Sequence, residues 1–126
     1  MVFKRIHTKG APEAIGPYSQ GVMTESIVIT SGQLPIIPTT GNVPFGIKEQ
    51  TRQCLLNIKE ILAEEGVAIE QVIKTSIYMT NLDELADMNE VYAEFFSESL
   101  PARATVGVSE LAKGAKIEIE AIAVRK

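Results

Sequence analysis

The chain is poor in the residues that build most reactive centres. Its 126 residues include one cysteine, one histidine and no tryptophan, and aromatics make up 6% of it. The single Cys54 cannot close an internal disulfide, which suits a reducing compartment. With His7 as the only histidine, neither a His-rich metal site nor a Cys-x-x-Cys pair can form, and no metal is expected. A Ser-His-Asp triad would need His7 to meet Asp83 or Asp87, the only aspartates, from distant parts of the chain. No phosphate loop and no dinucleotide fingerprint occurs, so no nucleotide cofactor is expected. Basic charge is short as well. The net charge is -4 and the Lys and Arg residues are scattered, which argues against a surface that neutralises nucleic-acid phosphates. No charged-then-apolar signal opens the chain. The longest uncharged window, 26–47, is broken by Gly32, Pro35, Pro38, Gly41, Pro44 and Gly46, which a lipid-embedded helix would not tolerate. These absences lead us to expect a cytoplasmic protein with neither a nucleic-acid nor a membrane partner.

What remains is a well-mixed globular composition, 45% hydrophobic and 22% charged. The length points to one domain over 1–126, able to bury roughly two-thirds of its unfolded surface without a disulfide or metal staple. Residues 2–7 read as a short strand, and 26–33, with Ile27, Val28 and Ile29 ending at Gly32, as a second. The Pro/Gly-rich stretch 34–46 is a loop, and its length of about a dozen residues makes a functional role more plausible. From Ile47, the spacing of Leu55, Ile58, Ile61 and Leu62 predicts an amphipathic helix closed by Gly66. A strand follows over 72–80. Asn81 then sits as an N-cap with Glu84 in a capping-box position, and Leu85, Met88, Tyr92, Phe95 and Phe96 form the apolar stripe of a second helix. Pro101 ends that run. Strands over 104–110 and 116–125 flank a turn at 112–115. The order β-β-α-β-α-β-β, without repeats or linkers, predicts an α+β fold with a single sheet.

Side-chain alternation along the strands carries the most information. In the last strand Ile117, Ile119, Ala121 and Ala123 share a face suited to two helices, leaving Glu118, Glu120, Ile122 and Val124 opposite. The preceding strand splits likewise into Ala104, Val106 and Val108 against Arg103, Thr105, Gly107 and Ser109, and in the middle strand Ile73, Ile77 and Met79 oppose Lys74, Ser76 and Tyr78. Two helices cover one face. The other face is neither plainly solvated nor plainly a core, the pattern of a subunit interface with polar cavities, so a homo-oligomer is expected.

Few residues could do chemistry. Arg103, after Pro101 and among small neighbours, has room to grip a carboxylate with two parallel hydrogen bonds, or it can snorkel or pair with Glu118 or Glu120. Glu118 and Glu120, about 7 Å apart on one strand face, can hold a water and pass protons or serve as interface salt bridges. Gly16-Pro17-Tyr18-Ser19-Gln20 and Ser31-Gly32-Gln33 either line a pocket or are ordinary turns. Cys54, on the apolar side of the first helix, reads as a buried structural thiol.

Four blocks resemble the RidA/YjgF family, the reactive intermediate (enamine/imine) deaminases. They are Ala14-Ile15-Gly16-Pro17-Tyr18-Ser19-Gln20, Ile29-Thr30-Ser31-Gly32-Gln33-Leu34-Pro35, Leu100-Pro101-Ala102-Arg103-Ala104-Thr105 and Lys116-Ile117-Glu118-Ile119-Glu120-Ala121-Ile122-Ala123-Val124-Arg125. Order and spacing match through essentially the whole chain. The resemblance implies a chorismate-mutase-like α+β fold, a single mixed sheet with two helices on one face, assembled as a homotrimer with clefts between subunits. It also implies metal-independent hydrolysis of 2-imino acids, the tautomers of enamines such as 2-aminoacrylate, to 2-keto acids and ammonia. By position, Arg103 matches the carboxylate-binding arginine and Glu118 the water-positioning glutamate, a choice over Glu120 that alternation could not make. Tyr18, Ser31, Gly32 and Asn89 match pocket-lining positions. Thr105 stands on the binding side where several members carry cysteine, so a mechanism leaning on that thiol is not expected here. Two other readings are a non-catalytic small-carboxylate-binding regulatory trimer and the ribonuclease or translation-inhibitor role also attached to the family. The acidic balance, the lack of a His pair and the lack of a basic groove weigh against the latter.

Overall fold

The computed structural model describes residues 2–125. Its strands are β1 (Lys4–Ile6), β2 (Gly21–Met23), β3 (Ile27–Thr30), β4 (Val72–Met79), β5 (Ala102–Gly107) and β6 (Ile117–Val124). They form one sheet in the order β1-β2-β3-β6-β4-β5. Its helices are α1 (Ile47–Ala63) and α2 (Leu85–Phe96). Only β4 and β5 pair in parallel. That pairing needs a crossover, which α2 supplies. The connection from β3 through α1 to β4 steps across β6 in the same direction. Right-handed crossovers in one direction place both helices on the same face of the sheet.

The covered face holds the hydrophobic core. Leu55, Ile58, Ile61 and Leu62 of α1, Met88 and Phe96 of α2, and Ile117, Ile119, Ala121 and Ala123 of β6 are all buried, as their spacing predicts. Gly66, at φ 72, takes the left-handed conformation that ends α1. Its N–H donates to the Ala63 carbonyl at 3.0 Å and the Val67 N–H to the Leu62 carbonyl at 3.0 Å, which satisfies the last carbonyls of the helix. Cys54 is fully buried, its thiol 3.8 Å from the Ile117 carbonyl, and burial pushes it well above the usual thiol range. His7 pairs with Glu13 at 3.0 Å on an exposed surface, not with an aspartate.

Four local expectations give way. β2 lies between the two strands expected over 2–7 and 26–33, where three residues opening on glycine carry no alternation; its pairing with β1 and β3 makes it a strand. The strand expected over 104–110 is Ala102–Gly107, which puts Arg103 within the ladder rather than at its entrance. A bulge between Val72 and Lys74 resets the parity of β4, so Ile73 is exposed while Val72 and Thr75 join Ile77 and Met79 in the core. Asn81 does cap, accepting from the Asp83 N–H at 3.0 Å, but it starts a 3-10 turn over Leu82–Glu84. The Glu84 carboxylate does not close a capping box; it accepts from Lys116 Nζ at 3.3 Å.

Candidate functional site

The side chains singled out above fall into two groups on opposite faces of the sheet. On the uncovered face, Tyr78 and Ser76 of β4 stand opposite Glu118 and Glu120 of β6. The Tyr78 hydroxyl donates to Glu120 Oε2 at 3.3 Å. Glu118 is half-buried, and burial first, then the charge of Glu120, raises its carboxyl above the ordinary glutamate value. A carboxylate so placed is a better proton acceptor than one in open water.

Gly32 packs directly beneath that carboxylate: a β-carbon there would come within 2.8 Å of Glu118 Cδ. The approach is set by Gln33, whose backbone exchanges hydrogen bonds with Ile119 (2.7 and 3.1 Å) and pins the end of β3 against β6. Ser31 faces the preceding loop. Its N–H donates to the Gln20 carbonyl at 2.8 Å and its hydroxyl to the Ser19 carbonyl at 2.5 Å, so it ties down the loop that carries Tyr18. Tyr18 is more than half exposed and shares with Gly32 a hollow of about 50 Å³, room for a few waters. Buried Gln20 belongs to the same motif but is structural. It accepts from the Thr8 N–H (2.7 Å) and donates to the Thr8, Ala11 and Pro12 carbonyls.

Arg103 is in the other group. β5 runs in register with β4 so that Arg103 stands beside Thr75 and Thr105 beside Ile77, on the helix side. Ala104 and Val106 are therefore exposed on the uncovered face, reversing the expectation that the apolar set of this strand meets the helices. Nor does Arg103 pair with Glu118 or Glu120 within the chain. Its Nη1 donates to Asn89 Oδ1 at 2.8 Å, and its guanidinium carbon lies 5.0 Å from the centroid of the Tyr92 ring. The Tyr92 hydroxyl in turn shares a 2.7 Å hydrogen bond with buried Thr75. A hollow of about 320 Å³ opens here, with Asn89, Tyr92, Phe96, Leu100, Pro101 and Arg103 in its wall. Thr105, two residues along the same face, has a buried Oγ1 without a hydrogen-bond partner among the described residues. An arginine fixed on one side and free on the other can take a carboxylate with its remaining donors.

The structure thus brings Tyr18, Gly32 and the Ser31 backbone to the Glu118 side, and Asn89 and Thr105 to the Arg103 side. It does not bring Arg103 and Glu118 together. Tyr92 and Thr75 escape sequence reading because both look like core. The signal available was Asn89 and Tyr92 three residues apart on α2, on one helix face. Among the described residues, no three His, Cys, Asp or Glu side chains gather as metal ligands would.

The same chain is closely similar to known proteins from end to end. The family model for endoribonuclease L-PSP matches residues 8–125. A RutC family protein of Pyrococcus horikoshii is 50% identical over 122 residues, covering 96% of this chain and 97% of its own. The Escherichia coli 2-iminobutanoate/2-iminopropanoate deaminase is 46% identical over 126 residues, 98% of each chain. Among solved structures, E. coli TdcF with bound serine matches at a TM-score of 0.94 and 46% identity, covering 98% of this chain and 99% of that one. With a mixed sheet, two helices on one face and near-complete coverage by these relatives, the chain belongs to the RidA/YjgF family.

Proposed function

We propose that this chain is a metal-independent, cofactor-free deaminase of reactive 2-imino acids, such as 2-iminopropanoate and 2-iminobutanoate, hydrolysing them to 2-keto acids and ammonia. It acts in the cytoplasm as a single domain over 1–126, in a homotrimer of chorismate-mutase-like subunits with a site at each seam. The observation that carries this reading is the 46% identity over 98% of both chains with a protein named 2-iminobutanoate/2-iminopropanoate deaminase. The placement of Arg103 and Glu118 on opposite faces supports sites shared between subunits, since two copies in a ring can set one face against the other.

The chemistry asks little of the protein. An imine carbon beside a carboxylate is already electrophilic, so orientation supplies most of what is needed. Arg103 and Asn89 hold the substrate carboxylate, with Thr105 beside them; a charge-assisted bond of this kind contributes about 1.5–3 kcal/mol. Glu118 of the partner subunit, over its Gly32 and beside Tyr18 and Ser31, takes a proton from water as the oxygen bonds to the imine carbon. It returns that proton to the nitrogen, giving a carbinolamine. A second transfer moves the hydroxyl proton to the amine as the C–N bond breaks, releasing ammonia and leaving the keto acid.

Adding the protein to a threonine or serine dehydratase should speed formation of 2-oxobutanoate or pyruvate beyond the dehydratase alone, and Arg103→Ala should remove the gain. No gain from the wild-type protein, or equal gains from both, overturns the reading. Mixing Arg103→Ala with Glu118→Gln subunits should rebuild about a quarter of the sites in random trimers; no regained activity would place both residues in one subunit's site. The serine bound to TdcF favours one other reading, a carboxylate-binding trimer without turnover. Tight binding of 2-oxobutanoate by calorimetry with no imine consumed would select it.

A further inference from the structure

The guanidinium of Arg103 has two restraints, and only one is a conventional hydrogen bond. Asn89 Oδ1 takes an N–H at 2.8 Å, which fixes one corner of the fork but leaves its plane free to rotate about that contact. The second restraint is Tyr92, whose ring lies under the guanidinium, its centroid 5.0 Å from the guanidinium carbon. A tyrosine ring on its own could tilt. This one is fixed at its far end by the 2.7 Å hydrogen bond to Thr75, a fully buried residue in β4. Phe96 holds its flank, with ring centroids 4.7 Å apart. Thr75 stands directly beside Arg103 in the parallel ladder, so backbone, hydroxyl, ring and guanidinium close a loop that runs from β5 through β4 and α2 back to β5.

We propose that Tyr92, tethered through its hydroxyl to Thr75, is a positioning residue that sets the plane of the Arg103 guanidinium for two-point capture of a planar carboxylate. The inference rests on the reading of Arg103 as carboxylate anchor and adds what makes the arginine selective. A guanidinium held over a ring has less freedom to turn, and a planar fork loses less freedom on binding when it is already oriented. The ring also shields one face of the cation from water, which strengthens the attraction between them. A lysine in place of Arg103 would have no plane to orient.

The test is 2-oxobutanoate binding by calorimetry, with kcat and KM from the coupled assay, in wild-type and Arg103→Lys backgrounds. Tyr92→Leu should weaken binding and raise KM about 10-fold with arginine present, with kcat changed by less than about 2-fold. In the Arg103→Lys background the same change should cost less than about 2-fold. Tyr92→Phe and Thr75→Val each cut the tether while keeping the ring and the core volume, and stay informative should Tyr92→Leu not fold. Each should weaken binding about 2- to 3-fold, again only with arginine present. Equal losses in both backgrounds would make Tyr92 a general packing residue and overturn the proposal. Wild-type affinity in both tether variants would overturn it too. If Arg103→Lys itself leaves 2-oxobutanoate affinity unchanged, the anchor reading fails first, an outcome distinct from an intact arginine effect with silent Tyr92 variants.

Discussion

The two faces of the sheet are built from the same strands and end in different states. On the helix side, β6 presents Ile117, Ile119, Ala121 and Ala123 to α1 and α2, and the buried polar side chains of α1 find partners within the chain. Thr51 donates to the Ile47 carbonyl at 2.7 Å, and Asn57 donates to the Leu34 and Ile36 carbonyls. On the other side Glu118, Glu120 and Ile122 are only half-buried, Ile29, Val106 and Val124 are exposed, and among the described residues neither glutamate forms an ion pair. One face is closed by burial and the other keeps apolar surface and carboxylates side by side. Neighbouring residues on β6 therefore meet different surroundings, a closed core on one side and partly open carboxylates on the other.

Adjacent substitutions on β6 give the largest contrast. Glu118→Gln should lower kcat by about 10²–10⁴, the usual range for a lost general base, and leave urea unfolding close to wild type. Ile117→Ala, one residue away, should cost about 2–5 kcal/mol of unfolding free energy, with activity per folded protein largely kept. If the two effects exchange places, the division between faces is wrong. Gly32→Ala comes next. Its β-carbon must displace the Glu118 carboxylate, and a displacement of that size can cost about 10²-fold in kcat/KM without a comparable loss in Tm. A fully active Gly32→Ala would remove Glu118 from the reaction.

The pH profile sharpens the comparison further. With the Glu118 carboxyl raised by burial and by Glu120, the acid limb of kcat/KM should lie above the ordinary glutamate value of about 4.3. Glu120→Gln should move that limb downward; a limb at the ordinary value in the parent protein would contradict the assignment. Stability follows the same shift. A carboxyl raised in the folded state favours folding while protonated and loses that contribution as pH rises through its folded-state value. Glu118→Gln should therefore be at least as stable as the parent at pH 7, with no difference left below about pH 4. The smallest effect is expected at Thr105, whose buried Oγ1 has no partner among the described residues. Thr105→Val should leave Tm unchanged or slightly raised, since a buried unsatisfied hydroxyl is costly. It should weaken 2-oxobutanoate by less than about 3-fold, whereas a 10-fold loss would mean that the hydroxyl bonds directly to the ligand.

Much of this architecture is legible locally. The 3.6-residue spacing of α1 and the alternation of β6 each place their apolar residues in the core. Alternation fails where something outside the strand intervenes. The bulge at Ile73 turns β4 over, and β5, an edge strand, presents Ala104 and Val106 away from the helices because its register follows β4 and not its own hydrophobicity. The same blindness hid Tyr92. As a letter in an apolar stripe it is core; its hydroxyl bond to Thr75 and its ring under Arg103 join residues from three elements.

By itself, the order of residues determined the two helices, most of the strands, the core faces of α1 and β6, and which family the chain resembles, because periodicity and local motifs act over a few neighbouring positions. Only the folded arrangement decided that Arg103 and Glu118 project from opposite faces, that Gly32 lies beneath the carboxylate, and that α2 supplies the bed for the guanidinium. Those relations depend on strand order and register, which are set by long-range pairing and by burial of whole faces at once.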